Sequence, residues 1–196
     1  MNVYETTVKR RTIRRFKQKP IPFEILKKIV NAGRLAPSSA NLQPIEYMVI
    51  DKTDLVEKVF GTLKWAGYIS PAGNPPPGQR PVAYVVVLAN KKKNSGSCER
   101  DAAAAIENMI LVALDEGIGS CWLGAIDINK LRSILELPEH VNIDSVLALG
   151  CSNESPQLEE MKDTVKYWKD EAGVLHVPKR KLEDILFYNE YEVQKV

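Results

Sequence analysis

At 196 residues the chain has room for one ordinary domain, and its 44% hydrophobic and 27% charged residues exclude wholesale disorder. Its 27 lysines and arginines stand against 25 aspartates and glutamates, a formal charge of +2 that excludes a strong whole-molecule field for nucleic acid or an anionic membrane. Any anion site must therefore be local.

In chain order, a basic cluster at 9–15 precedes Pro20 and Pro22, and Pro22 suits a first helical position. Ile25, Leu26, Ile29, Val30 and Ala32 then recur at a helical period, predicting a helix of about 12 to 14 residues that Pro37 ends. Pro37-Ser38-Ser39-Ala40-Asn41-Leu42-Gln43-Pro44 lacks periodicity and reads as loop. A short strand at 47–50 and an amphipathic segment at 55–63 follow. The glycines and prolines of 66–80 make this the longest expected loop. The unbroken apolar run 81–89, rich in valine, predicts a central strand buried on both faces. Residues 99–116 predict a helix apolar over most of its circumference, stopped at Gly117. The stretch 121–126 reads as extended. Asp127 caps a helix through Leu135, 145–149 is another apolar strand, and the tail predicts a helix near 181–188. Helices mixed with strands in this order indicate an α+β or α/β fold.

Several chemistries lack their motifs: there is no Gly-x-Gly-x-x-Gly, no phosphate loop, no Cys-x-x-Cys and no His-Glu-x-x-His. Cys98, Cys121 and Cys151 are far apart and odd in number, which favours a reducing compartment over a disulfide framework. With two histidines, His140 and His176, no metal site is expected. No apolar run reaches the roughly 18 residues of a membrane span and the first residues form no signal peptide, so a cytoplasmic protein is expected.

Three patches remain that could bind a ligand. In Arg10-Arg11-Thr12-Ile13-Arg14-Arg15-Phe16, extended geometry puts Arg10, Thr12 and Arg14 on one face, and helical geometry puts Arg10 and Arg14 there. Paired guanidinium donors suit a phosphate, while a solvated basic turn anchored by Ile13 and Phe16 is the alternative. Ser38, Ser39, Asn41 and Gln43 offer donors and acceptors for the edge of an imide-like ring, or form an ordinary polar turn. Gly117-Ile118-Gly119-Ser120-Cys121-Trp122-Leu123-Gly124 lets backbone approach a ligand, although a helix cap also explains Gly117.

These patches, in this order and together with Val177-Pro178-Lys179-Arg180-Lys181-Leu182-Glu183-Asp184, resemble the nitroreductase family of flavin mononucleotide (FMN) enzymes over nearly the whole chain, from about Tyr4 to Tyr188. The resemblance implies an α+β fold, a three-layer α/β/α sandwich around a central, mainly antiparallel sheet. It implies one FMN-binding domain over 1–196, a homodimer with flavin at the subunit interface, and a C-terminal segment extending onto the partner. By this similarity Arg10, Arg11, Thr12 and Arg14, with Lys179 or Arg180, hold the FMN phosphate and ribityl chain. Thr12 stands where serine is more usual, which keeps the hydroxyl. Pro37, Ser38, Ser39, Asn41 and Gln43 line the ring, and Leu123 and Gly124 present backbone amides toward flavin N1 and the C2 carbonyl, where the reduced ring carries negative charge. Ile45 replaces an aromatic residue found in many relatives, and the 64–79 loop matches less clearly.

The implied activity is oxidoreduction. NADH or NADPH delivers hydride to flavin N5 and a small acceptor, such as a nitroaromatic or quinone, takes it up in a ping-pong cycle. No protein acid or base is required and none is named. An enone or halogenated aromatic acceptor, or a non-catalytic flavin-binding protein, are the alternatives within the same fold.

Overall fold

The computed structural model describes residues 2–191. It opens with α1 (Val3–Lys9), a helix without a sequence stripe because Val3, Tyr4 and Val8 all remain exposed. A reciprocal cap holds its start: the Glu5 amide donates to Asn2 Oδ1 at 2.9 Å and the Asn2 amide to Glu5 Oε2 at 3.3 Å. After β1 (Phe16–Lys17) comes α2 (Phe23–Arg34), whose cap is Pro22 itself, with extended ψ of 137°. Pro22 thus stands one position earlier than the sequence suggests.

β2 (Ile45–Ile50) and α3 (Thr53–Phe60) lead into the 66–80 loop, irregular apart from one 3-10 turn at Gly67–Ile69. β3 (Ala83–Asn90) and α4 (Glu99–Asp115) lie close to their predicted bounds, and Gly117 past α4 takes a left-handed φ of 74°. β4 (Gly119–Leu123) is earlier and shorter than the expected 121–126. α5 (Ile128–Leu135) is capped as predicted, the Lys130 amide donating to Asp127 Oδ1 at 3.1 Å. β5 (Val141–Ser152) has twelve residues where the apolar run suggested five, because its first half is interrupted by Asn142 and Asp144.

β2, β3 and β5 are antiparallel neighbours, and β4 and β1 share the other edge of β5, also antiparallel. Strand alternation divides two cores between the faces of this sheet. Tyr84, Val86 and Leu88 pack with Val56 and Val59 of α3 and Leu131 and Leu135 of α5. Val85 and Val87 pack with Leu26 and Ile29 of α2 and with Ala102, Ile106, Met109 and Ala113 of α4. Each fully buried valine of β3 contributes about 1.5–3 kcal/mol. This is the expected α+β three-layer sandwich.

Val87 faces Ser145 while Leu88 faces Ile143, so Asp144 is the extra residue of a bulge. The bulge reverses side-chain parity, which lets Val141 and Ile143 join Val146 and Ala148 on the α3/α5 face.

The chain then adds a small second sheet that the sequence reading did not contain. β6 (Gln157–Glu160), β7 (Trp168–Lys169) and β8 (Leu175–Lys179) pair with β8 central. The tail is a correction: 181–188 forms turns, not a helix. Leu182, Ile185 and Leu186 are 62%, 50% and 60% exposed, so its apolar residues gain no packing from this chain, and a short helix without packing is marginal in water. Among the described residues no helix is long and apolar enough to cross a membrane.

Candidate functional site

The arginine-rich segment is extended, which decides between its two sequence readings. Thr12 bridges Ser120 of β4 in parallel, with the Ile13 amide donating to the Ser120 carbonyl at 2.8 Å. Phe16 donates its amide to Gln79 O at 3.0 Å, and Asn153 donates to Arg15 O at 2.9 Å. The amides of Arg14 and Arg15 both donate to Glu154 Oε1, at 2.5 and 3.2 Å. Ile13 and Phe16 sink into the fold beside two glycines. A Cβ on Gly119 would lie 2.9 Å from Ile13 Cγ1, and one on Gly150 would lie 2.7 Å from Phe16 Cδ1, so no larger residue permits this approach.

The guanidinium groups divide between two environments. Arg10 and Arg11 line a cavity of about 290 Å³ with Gly119, Ser120, Glu154 and Pro156. Arg10 Nε lies 3.8 Å from Glu107 Oε1, and Arg11 donates to the Arg10 carbonyl. Burial, and then the neighbouring Arg10 charge, lower the Arg11 pKa. Arg14 instead lies under the Tyr167 ring, 4.9 Å from its centroid, and its buried Nε has no hydrogen-bond partner among the described residues. Tyr167 in turn packs on Tyr68 of the proline-rich loop, ring centroids 4.9 Å apart.

The second patch, 37–44, contains a 3-10 turn at Ser39–Asn41. Ala40, Asn41 and Gln43 have left-handed φ of 48°, 54° and 48°. Ser38 Oγ donates to Asp101 Oδ2 at 2.6 Å, the Ser39 amide donates to Asp101 Oδ1 at 3.2 Å, and the Gln43 amide donates back to Ser38 Oγ at 3.0 Å. Ser39, Asn41 and Gln43 are exposed, whereas Pro37, Ser38 and Gln43 border a cavity of about 190 Å³ with Tyr47, Lys93 and Asp101. Burial raises the Tyr47 pKa to about 12, so this phenol stays protonated at neutral pH.

Leu123 ends β4 buried in the α3/α5 core, and Gly124 is exposed just past it. Lys179 and Arg180 are exposed at the end of β8. Arg180 Nη2 donates to Asp184 O at 3.1 Å, and among the described residues no hydrogen bond or ion pair joins either residue to the arginine segment. Within one chain the two ligand patches are also apart. The arginine cavity reaches Leu114 near the end of α4, and the loop is tied to Asp101 in its first turn. Thirteen residues of helix separate these positions, about 20 Å along the axis. Arg10, at Glu107, comes nearest the loop's end of the helix.

Other reactive groups are occupied or buried. His176 sits between Glu159 and Asp170, each 3.2 Å away, and stacks on Trp168 at 4.3 Å. Burial lifts the Cys121 thiol to about 12, which leaves it unreactive. Among the described residues no group of three His, Cys, Asp or Glu side chains could hold a metal ion. The sequence reading missed Asp101, Glu154, Tyr68 and Tyr167. Asp101, an acid in the first turn of an apolar helix, carried a weak signal; Glu154, 140 residues from Arg14, carried none.

The Nitroreductase family model matches residues 7–151. A protein of Archaeoglobus fulgidus, provisionally named NADH dehydrogenase/NAD(P)H nitroreductase, is 30% identical over 161 residues, covering 79% of this chain and 87% of that protein. A nitroreductase family protein of Clostridium novyi is 28% identical with a TM-score of 0.68, over 80% of this chain and 90% of that one. A nitroreductase of Bacteroides fragilis, solved with bound FMN, is 28% identical with a TM-score of 0.63, over 84% and 95%. With its sandwich fold and with a family match over most of its length, this chain belongs to the nitroreductase family.

Proposed function

We propose that the protein is an FMN-dependent oxidoreductase that passes reducing equivalents from NADH or NADPH to a small oxidised acceptor, such as a nitroaromatic or a quinone. The observation that carries this is the extended row along the edge of β4, where Arg10 and Arg11 line one cavity and, apart from them, the buried Arg14 Nε lacks a partner among the described residues. A buried donor without an acceptor is costly, and an anionic or carbonyl-bearing ligand relieves that cost. The residues present therefore fit the cofactor. Arg10 and Arg11 supply positive charge for the phosphate, the Thr12 hydroxyl suits the ribityl chain, and Arg14 supplies the unpaired donor. Lys179 or Arg180 adds charge from the end of β8. Ser39, Asn41 and Gln43 offer exposed polar groups for the ring edge, beside Pro37 and Ser38, and the chain at Leu123 and Gly124 offers backbone donors.

When bound, FMN supplies two-electron transfer between the nicotinamide and the acceptor. The chain's part is to bind, orient and exclude water, and no side chain is assigned as acid or base.

The arginine cavity extends along α4 from about 9 Å away from the loop's tether at Asp101, beside Arg10, to about 20 Å away at Leu114, a spread that supports a homodimer in which the arginine segment of one copy and the 37–44 loop of another serve the same flavin. A groove of about 400 Å³ between α1, α2 and α4, lined by Val3, Ala32, Leu35 and Leu111, gives such a dimer apolar surface to bury. The exposed Leu182, Leu186 and Tyr188 suit a C-terminal segment of this single FMN-binding domain that extends onto the partner.

The test is purification followed by anaerobic stopped-flow mixing with NADH and with NADPH. We expect a yellow protein with releasable FMN and fast, saturable bleaching by at least one nucleotide. Absence of FMN binding on reconstitution sinks the proposal, and FMN binding without saturable reduction leaves only a flavin-binding protein. Arg14→Ala should lose FMN on dialysis; unchanged flavin content contradicts its role.

A further inference from the structure

We propose that Asp101 is the positioning residue of the 37–44 loop, holding it in the conformation that meets the flavin ring. The role rests on the flavin reading above and names a residue that reading does not use.

Asp101 is only 9% exposed, in the first turn of α4. A buried carboxylate is tolerated where each oxygen is hydrogen-bonded, and here both partners come from the loop: Ser38 Oγ on Oδ2 and the Ser39 amide on Oδ1. The Ser38 bond has a direction with consequences. An ionised carboxylate can only accept, so the Ser38 hydrogen must point at Asp101, which turns a lone pair toward the Gln43 amide 3.0 Å away. One carboxylate thereby fixes both sides of the turn.

The turn needs such fixing. Ala40, Asn41 and Gln43 all occupy the left-handed region, which asparagine tolerates and alanine and glutamine adopt reluctantly. Strained residues of this kind persist only when their surroundings over-determine them. Two loop amides, Asn41 to Ser38 O at 2.9 Å and Leu42 to Ser39 O at 3.0 Å, close the turn from within. Asp101 is what ties it to the rigid helix.

The relay also divides labour among the loop's polar groups. The Ser38 hydrogen is committed to Asp101, so Ser38 cannot donate to a ligand. The exposed Ser39 hydroxyl and the Asn41 side-chain amide remain as donors.

The test compares wild type with Asp101→Ala, Asp101→Asn and Ser38→Ala, measuring amide hydrogen exchange in FMN-free protein, FMN affinity by fluorescence titration, the visible spectrum of bound flavin, and thermal unfolding. Asp101→Ala should speed exchange at Ser39 and Gln43 at least about tenfold. It should weaken FMN roughly 10- to 100-fold, because the ligand must then order the loop itself, and shift the bound-flavin spectrum. Asp101→Asn should fall between, because its carbonyl still accepts from Ser39. Ser38→Ala should free the Gln43 amide while Ser39 stays protected. Unchanged exchange at both amides in Asp101→Ala and Asp101→Asn overturns the relay. Faster exchange with FMN affinity and spectrum like wild type overturns the ring-positioning role. A wild-type protein that binds no FMN overturns the flavin reading and the ring-positioning role with it, while the exchange pattern still decides the relay.

Discussion

The two patches of the site are held in opposite ways. The arginine segment is fixed by backbone pairing to β4 and by Ile13 and Phe16, which are 8% and 0% exposed, so its arginine side chains are not what holds the backbone in place. The 37–44 loop has no buried aliphatic or aromatic anchor of its own before Pro44, and its shape depends on a carboxylate, a hydroxyl and a few amides. Changing one polar side chain in the first region alters what is bound. Changing one in the second alters the shape that does the binding.

The largest effect should come from removing the apolar anchor. Phe16→Ala leaves a cavity against Gly150 and should cost about 3–5 kcal/mol in urea unfolding. A loss under about 1 kcal/mol would mean that backbone pairing alone fixes the segment. Next comes crowding of the same contact. Gly119→Ala places a methyl group 2.9 Å from Ile13 Cγ1 and should cost about 1–3 kcal/mol, with a less than additive loss when Ile13→Ala, which removes both γ carbons of the contact, is added. Additive losses would show that the strain is relieved elsewhere.

In the loop, Ser38→Ala leaves Asp101 Oδ2 and the Gln43 amide without their partner and should cost about 1–3 kcal/mol of global stability. A melting loss as large as that of Phe16→Ala would erase the contrast between the regions.

The smallest effect concerns the loop's far end, where the Asn90 amide holds Pro44 O at 2.9 Å and Glu46 accepts from Asn90 Nδ2 at 2.9 Å. The Asn90 hydrogen bond, with help from Lys93, holds the Glu46 carboxyl below its ordinary 4.5. A depressed folded-state pKa stabilises above the unfolded value and is lost as pH falls through the folded one. The stability difference between wild type and Glu46→Gln should thus be present at pH 7 and fade below about pH 4 in thermal melts. A constant difference across that range assigns the effect to packing instead.

Legibility in the sequence followed the range of the signal. The apolar run of β3, the small-residue stripe of α4, the Asp127 cap and the glycine after α4 are written within a few residues, and the fold carries all of them. The four motifs were legible in the same way, and they named the family. α1 escaped because its apolar residues face outward, and β5 looked short because its bulge breaks the alternation at Asp144. The expected tail helix failed for the converse reason: a local pattern was present without a surface on its own chain to stabilise it.

By itself, then, the sequence determined most of the core helices and strands and the chemical character of the site, since hydrophobic periodicity and arginine-rich or amide-rich stretches are local properties of a chain, while the layered sandwich came from the family resemblance of its motifs. Only the tertiary structure decided that Arg14 lies beneath Tyr167, that Glu154 takes the amides of Arg14 and Arg15, and that Asp101 commands Ser38 from 63 residues away. Those pairings arise where the sheet and α4 bring distant segments together, and no periodicity along the chain encodes which side chain will stand opposite which.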